Sequence, residues 1–205
     1  MVIEFLTDGR KDADRILVLA HGAGAAMDSD FMNAMAKGLA GEGIHVVRFE
    51  FPYMAKRRAG GSKSPPDRAP VLLDCWRAVA KEFDPAKTLI GGKSLGGRIA
   101  SMIADETKIR GLVCLGYPFH APGKPLGTRL DHMRKIRTKT LICQGERDPF
   151  GTKEEVQQYE LPATVRVDWL PDGDHSFRPR KTSGYSEAGN LEKAVQTVAA
   201  FVHRV

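Results

Sequence analysis

A serine flanked by glycines is the residue of this sequence best placed to do chemistry. Ser94 lies in the segment Gly92-Lys93-Ser94-Leu95-Gly96, which has the pattern G-x-S-x-G. A β-branched stretch precedes the segment and a helical pattern follows it, which predicts a sharp turn between a strand and a helix. Small residues two positions before and after the serine let the strand and the helix approach each other. The pattern therefore predicts a nucleophilic serine at a nucleophile elbow.

A serine hydroxyl is a weak nucleophile that needs a neighbouring base, and the base needs an acid to orient it. Asp148 follows the predicted strand Thr140–Cys143, and His175 follows the predicted strand Thr164–Leu170. This chain order of serine, aspartate and histidine is the order found with a nucleophile elbow. We therefore predict a catalytic triad of Ser94 as nucleophile, His175 as base and Asp148 as orienting acid.

The two partners of the serine also have plainer interpretations. Asp148 stands before Pro149, where aspartate often forms a turn, and a loop histidine such as His175 often has no role. Asp172 and Asp174 are reserve candidates for the acid, although they lie too close to His175 in sequence for the usual arrangement. The catalytic interpretation is favoured because the residues occur in the required order, with Asp148 and His175 each directly after a predicted strand.

A tetrahedral intermediate carries a negative charge that two backbone N–H groups can stabilise. Leu95, which follows the nucleophile, supplies one of them, and a loop after an early strand supplies the other. The small-residue loop His21-Gly22-Ala23-Gly24-Ala25 follows the predicted strand Arg15–Ala20. We predict an oxyanion hole formed by Ala23 and Leu95, with Gly24 as the next candidate.

Strand patterns and helical patterns alternate along the chain, which predicts parallel βαβ units. The predicted strands are Ile3–Leu6 at an edge, Arg15–Ala20, Ile44–Phe49, Thr88–Ile90, Gly111–Leu115, Thr140–Cys143 and Thr164–Leu170. The predicted helices are Asp30–Gly41, Pro70–Phe83, Leu95–Asp105, Leu126–Arg137, Lys153–Tyr159 and Asn190–Val205, the last capped by Asn190. We expect an α/β fold, a three-layer αβα sandwich with a mostly parallel, doubly wound sheet of about seven strands. No linker divides the chain, so residues 1–205 are predicted to form a single domain.

Two long loops and a surplus of basic residues suggest where substrate binds. The loops are predicted at Phe51–Ala69 and Tyr117–Thr128, and the chain has 31 basic and 25 acidic residues, a net charge of +6. One interpretation of these basic residues is a cationic rim that binds an anionic ester. The alternative is a basic surface exposed to solvent that has no binding role. The candidate substrate-binding residues are His21, Gly24, Lys93, Arg57, Arg58 and Tyr117. Since His21 precedes the serine in the chain, we expect it to structure its loop rather than to act as the base.

Composition excludes several classes of protein. With 42% hydrophobic residues and a mean hydropathy of −0.30, the chain is neither disordered nor a membrane protein. We find no signal peptide, and Cys114 and Cys143 lie in apolar runs typical of buried, reduced thiols, which suggests a cytoplasmic protein. No metal-binding spacing or nucleotide-binding motif is present, so we expect no cofactor and no metal. No nucleic-acid-binding motif is present either, and the sequence does not reveal the oligomeric state.

The segments HGAGA, GGKSLGGR, GERDPFG and GDHSF together resemble the α/β-hydrolase superfamily. More narrowly, the chain resembles a compact, lidless, dienelactone-hydrolase-like branch. That branch includes the testis-expressed hydrolase-like proteins and the hydrolase-like domain of a chromatin acetyltransferase subunit. The resemblance implies the same triad, the same oxyanion amides and no cap domain. Dienelactone hydrolases use a cysteine nucleophile, whereas this chain has Ser94, so their substrate is not expected here.

Three hypotheses for the function follow. The first is a cytoplasmic serine hydrolase, an esterase or thioesterase that cleaves a small soluble carboxylic ester through an acyl-enzyme. The alternative is a hydrolase-fold protein-interaction module with little or no turnover. A third hypothesis, a basic nucleic-acid binder, predicts strongly salt-dependent retention on DNA.

Overall fold

The structure is a computed structural model that describes residues 3–121, 124 and 129–205. The strands in this part of the chain are β1 (Phe5–Asp8), β2 (Ile16–Ala20), β3 (His45–Phe49), β4 (Thr88–Lys93), β5 (Gly111–Leu115), β6 (Thr140–Gly145) and β7 (Val165–Leu170). The α-helices are α1 (Asp30–Gly41), α2 (Pro52–Arg58), α3 (Ala69–Ala80), α4 (Leu95–Thr107), α5 (Lys153–Val156) and α6 (Glu187–Arg204). None of the helices in the described ranges has both the length and the apolar character of a membrane span.

The strands form one sheet in the order β1-β3-β2-β4-β5-β6-β7. Strand β1 pairs antiparallel with β3, and all other neighbouring strands are parallel. The predicted mostly parallel, doubly wound sheet is confirmed. The strand order changes direction between β2 and β4, and ligands bind in α/β sheets outside the carboxyl ends of strands at such a point.

Helices cover both faces of the sheet, as predicted for a three-layer sandwich. In β2, Leu17 and Leu19 pack into a core with α1 and α6, whereas Val18 and Ala20 pack into the core on the opposite face with α3 and α4. Since successive side chains of a strand point to opposite faces, a strand buried on both sides has a continuous apolar sequence. The described residues form this sandwich without a cap domain.

The predicted long loop Phe51–Ala69 is wrong in its first part, where α2 forms. Pro52 occupies the first turn of α2, where its fixed φ favours a helix start, and Tyr53 and Met54 anchor the helix in the core. The composition of the segment, rich in proline, glycine and basic residues, concealed this short helix. The second predicted loop, Tyr117–Thr128, lies partly outside the described residues at positions 122, 123 and 125–128.

The predicted helix Leu126–Arg137 is wrong, and its first three residues lie outside the described part. Within the described residues 129–137, only Met133–Lys135 forms a helical turn, which is 3-10 helix. Leu130, Met133 and Ile136 are buried, and this spacing of three residues mimics an amphipathic helix in the sequence.

The predicted N-cap Asn190 is also wrong, because α6 begins three residues earlier. The Oγ atom of Ser186 accepts a hydrogen bond from the Gly189 amide at 3.0 Å and caps the helix. Asn190 is buried, and its Nδ2 atom donates to the carbonyl oxygens of Pro171 (3.0 Å) and Phe177 (2.8 Å). Asn190 therefore ties α6 to the loop that follows β7.

Smaller differences concern the ends of elements, whereas the cysteines lie as predicted. The edge strand is Phe5–Asp8 rather than Ile3–Leu6, and α5 ends at Val156 rather than at Tyr159. All three cysteines are free and buried, which confirms the predicted burial of Cys114 and Cys143.

Candidate active site

Ser94 lies on a strained turn between β4 and α4. Its backbone has φ 50° and ψ −112°, a conformation that non-glycine residues rarely adopt, and its amide donates to the Leu115 carbonyl at 3.0 Å. A Cβ atom at Gly92 or Gly96 would lie 2.2 or 2.4 Å from the Ala20 carbonyl oxygen. Only glycine at these two positions allows β4 and α4 to pack this closely against β2.

Asp148 is fully buried, and three donors satisfy its carboxylate. Its Oδ2 atom accepts from His175 Nδ1 at 2.7 Å and from Gln144 Nε2 at 3.0 Å, and its Oδ1 atom accepts from the Phe150 amide at 2.9 Å. A buried carboxylate needs such partners. Because Nδ1 of His175 donates to the carboxylate, Nε2 in the neutral ring is the proton acceptor.

Gln144 is a site residue that sequence reasoning missed. It is fully buried at the end of β6. Its Oε1 atom accepts from the Tyr117 amide at 2.7 Å, and its Nε2 atom donates to the Tyr117 carbonyl and the Gly151 carbonyl, both at 3.2 Å, besides Asp148. In the sequence, Gln144 could have been recognised only as a single amide side chain at the end of the apolar strand TLICQG.

Ser94 and His175 line one open cavity of about 490 Å³ at the carboxyl ends of β2, β4 and β7. In the described part of the chain, no hydrogen bond joins Ser94 Oγ to His175 Nε2. Such bonds are often long in structures without substrate. The lining residues are Gly22, Ala23, Gly24, Ala25, Ser29, Asp30, Phe31, Met32, Lys93, Ser94, Phe150, His175, Ser176 and Arg178. The start of α1 also lines the cavity, and sequence reasoning missed this contribution.

The loop after β2 lines this cavity, and hydrogen bonds to two of its carbonyls fix the direction of its peptide groups. The Gly22 carbonyl accepts from His21 Nδ1 at 2.6 Å and from the Tyr53 hydroxyl at 3.4 Å, and the Ala23 carbonyl accepts from the same hydroxyl at 3.1 Å. In a trans peptide the N–H points away from the carbonyl of the same unit. The amides of Ala23 and Gly24 are therefore directed away from Tyr53. The amide of Leu95, the first residue of α4, has no partner within its helix.

His21 does not fit the prediction of a substrate contact. It is fully buried and does not line the cavity. Nδ1 donates to the Gly22 carbonyl, and Nε2 accepts from the Phe51 amide at 3.1 Å, so both ring nitrogens are occupied. Burial lowers the pKa of His21, which keeps the ring neutral. The residue structures its loop, as the chain order had suggested.

Arg57 and Arg58 are likewise placed away from the cavity that holds Ser94. Arg58 pairs with Asp28 at 2.8 Å and with Glu50 at 2.7 Å, and it lines a separate cavity of about 390 Å³. The Arg57 guanidinium lies 5.6 Å from the centre of the Tyr53 ring. These contacts take Arg57 and Arg58 out of the predicted cationic rim.

Of the remaining candidate contacts, Gly24 and Lys93 line the cavity, whereas Tyr117 does not. Tyr117 is fully buried, and its hydroxyl donates to the Arg129 carbonyl at 3.3 Å. In the described ranges the cations that line the cavity are Lys93 and Arg178. No group of three or more His, Cys, Asp or Glu side chains in those ranges is arranged to hold a metal ion.

The reserve acids Asp172 and Asp174 do not bond the ring of His175. Asp172 pairs with Arg180, whose Nε lies 2.8 Å from its Oδ1 atom. The Oδ1 atom of Asp174 accepts from the Ser176 amide at 2.7 Å. Both aspartates fix the loop that carries His175.

Comparison with known proteins agrees with this architecture. Residues 13–203 match the family described as alpha/beta hydrolase domain. The chain is similar to dienelactone hydrolase from Anabaena variabilis, with 17% identity, a TM-score of 0.73 and coverage of 98% of this chain and 91% of that chain. It is also similar to an α/β serine hydrolase homologue from Coxiella burnetii, with 18% identity, a TM-score of 0.69 and coverage of 98% of this chain and 90% of that chain. A lidless α/β serine hydrolase from Xanthomonas campestris is similar as well, with 18% identity, a TM-score of 0.65 and coverage of 96% of this chain and 89% of that chain. At such identities the likeness concerns the fold.

Proposed function

Since this chain belongs to the alpha/beta hydrolase domain family, in a compact branch like the lidless and dienelactone hydrolases, we propose that it is a serine hydrolase. Its substrate is a small carboxylic ester or thioester, cleaved through an acyl-enzyme. One arrangement carries the proposal. Ser94 shares a cavity with His175, and the buried Asp148 holds the imidazole of that histidine at 2.7 Å.

In the acylation step, Ser94 Oγ attacks the carbonyl carbon of the ester, and its proton moves to His175 Nε2. The Nδ1–H bond to Asp148 is retained, so the carboxylate orients the imidazole and stabilises its positive charge. The intermediate collapses when the leaving group takes the proton from Nε2. This leaves the acyl group on Ser94.

The oxyanion of each tetrahedral intermediate is held by the amides of Ala23 and Leu95, with Gly24 as the neighbouring donor. Loss of one such donor typically lowers kcat by about 10²–10³. Deacylation repeats the sequence with water, which gives a proton to His175 and attacks the acyl carbonyl. The carboxylic acid then leaves, and Ser94 regains its proton.

The lining of the cavity favours a small acyl group with an apolar part. Phe31, Met32 and Phe150 offer apolar surface beside the nucleophile, and the loop after β2 is made of small residues. Charge on the substrate is less favoured than the composition suggested, since Arg57 and Arg58 bind other parts of the protein. Arg178 remains at the rim, paired with Glu187 at 2.9 Å.

A panel of p-nitrophenyl esters and matching thioesters of increasing acyl length tests the proposal. We expect turnover by the wild type that falls to background in Ser94→Ala and in His175→Ala. Ser176→Ala is the matched control, because Ser176 lines the same cavity but has no proposed role, and it should retain turnover. If the wild type gives no turnover above background on any ester, the alternative of a non-catalytic interaction module is favoured instead.

A further inference from the structure

Lys93 stands directly before Ser94, and its side chain is buried. It ends β4 with only 9% of its surface exposed, an unusual state for lysine, which is almost never buried without a partner. Its Nζ atom donates to the main-chain carbonyl of His175 at 2.6 Å. The rings of Phe31 and Phe177 lie 5.4 and 6.0 Å from the ammonium, where cation–π attraction operates.

These contacts hold His175 from a second side. Asp148 fixes the ring through Nδ1, while Lys93 fixes the backbone through the carbonyl. The loop around the histidine needs such support, because Asp172 and Phe177 have φ values of 49° and 69°. Non-glycine residues adopt such angles only where the surroundings impose them.

The ammonium also approaches the imidazole itself, at a point marked by Gly116. This glycine has φ +69°, and a Cβ atom there would lie 2.9 Å from Lys93 Nζ, 3.0 Å from the His175 carbonyl oxygen and 3.3 Å from His175 Nδ1. The space between the ammonium and the ring therefore admits no side chain. A positive charge on Lys93 acts on the ring across this gap.

The charges around the ammonium come from three parts of the fold. Asp148 after β6 and Asp174 after β7 raise the pKa of Lys93, but burial outweighs them and lowers it to about 8. Asp30 from α1 and Arg178 line the same cavity. An apolar side chain of similar volume would be easier to bury here than an ammonium. A lysine at this position is explained by the use of its N–H group and its charge.

We propose that Lys93 is a positioning residue for His175, which holds the main chain of the histidine and disfavours a second proton on its imidazole. The inference rests on the role of His175 as the base, proposed above. The hydrogen bond keeps the ring directed at the cavity of Ser94.

Lys93→Met tests the proposal, because methionine has a similar length but neither the donor nor the charge. We expect the acid limb of the kcat/KM profile to move up by about 0.5–1 pH unit. We expect kcat to fall about tenfold while KM changes little. A fall in kcat/KM without movement of the acid limb would show a purely structural role and overturn the electrostatic part.

Lys193→Met is the matched control. The Nζ atom of Lys193 also donates to a main-chain carbonyl, that of Trp169 at 2.7 Å, but it lies on the exposed side of α6. We expect this variant to keep the wild-type profile. An equal movement of the acid limb in both variants would overturn the assignment to Lys93.

A readout without turnover separates this inference from the proposed function. The titration of the His175 ring is followed by NMR in the wild type and in Lys93→Met, with the signal assigned through His175→Gln. A higher midpoint in Lys93→Met supports the inference even if no ester is cleaved, and identical midpoints overturn it. If Lys93→Met does not fold, the NMR titration of the wild type tests the inference instead. The His175 signal should then shift a second time near pH 8, and the absence of this second shift overturns the inference.

Discussion

The Nδ1 atom of His175 lies 2.7 Å from the Oδ2 atom of Asp148, although 27 residues separate them in the chain. The two side chains follow β6 and β7, which are adjacent and parallel. Carboxyl ends of adjacent parallel strands meet at one edge of the sheet, so the topology itself brings the aspartate to the histidine.

The first prediction concerns the carboxylate. Asp148→Asn keeps the shape of the side chain but turns an amide N–H toward Nδ1. The neutral ring of His175 then carries its proton on Nε2, where it can no longer accept a proton from Ser94. We expect ester turnover to fall by about 10⁴, the loss that this substitution causes in Ser-His-Asp enzymes. Asp131→Asn, at an aspartate whose side chain is almost fully exposed, is the control and should keep activity within a few-fold. A loss of less than tenfold in Asp148→Asn would contradict the orienting role.

The second prediction concerns the support of that carboxylate. Gln144→Leu removes a donor to Asp148 and the acceptor of the Tyr117 amide in the core. We expect the free energy of unfolding in urea to fall by roughly 2–4 kcal/mol, together with a loss of turnover. Gln158→Leu, at an exposed glutamine in the same part of the chain, should change it by less than about 0.5 kcal/mol.

The third prediction concerns the packing behind the nucleophile. Gly96→Ala places a Cβ atom 2.4 Å from the Ala20 carbonyl oxygen and 2.7 Å from that of His21. Because both contacts are backbone, we expect a loss of at least about 2 kcal/mol in the free energy of unfolding. Gly41→Ala, at the end of α1 with nothing within 4 Å, should instead stabilise the protein by up to about 1 kcal/mol. Thermal unfolding compares the two variants.

The fourth prediction concerns the pH dependence of stability. Burial lowers the pKa of Lys93 from its ordinary 10.5 to about 8, so between these values the unfolded chain binds more protons than the folded one. Stability rises with pH in that window. Relative to Lys93→Met, the free energy of unfolding of the wild type should therefore increase by on the order of 3 kcal/mol between pH 8 and pH 10.5. Urea unfolding at several pH values measures this. A constant difference would contradict the burial of a charged ammonium.

The elements with strong patterns could be predicted from the sequence. The bounds of α1 and β5 agree with the structure, because α1 has an amphipathic pattern and β5 is a continuous apolar run. Helix α2 was missed because its seven residues are too few for a periodic pattern and lie in a basic, proline-rich segment. Asn190 looked like a cap because sequence alone does not reveal a buried amide that bonds a distant loop.

For the site, chain order and strand ends led to Ser94, Asp148 and His175, of which Asp148 bonds His175 and Ser94 shares a cavity with that histidine. Chain order and strand ends do not indicate the direction in which a long side chain points. Lys93 was expected at a cationic rim, and its ammonium instead turns inward to the carbonyl of His175. Gln144 was missed because its partners lie on other strands and loops, and such contacts have no local pattern.

The most direct test of the central claim is covalent labelling of the nucleophile. The wild type is treated with a fluorophosphonate, and the intact protein and its peptides are weighed by mass spectrometry. We predict one phosphonyl group per chain, on the peptide that contains Ser94, and none on Ser94→Ala. A wild type that stays unlabelled, or a Ser94→Ala variant labelled as fast as the wild type, would contradict the account.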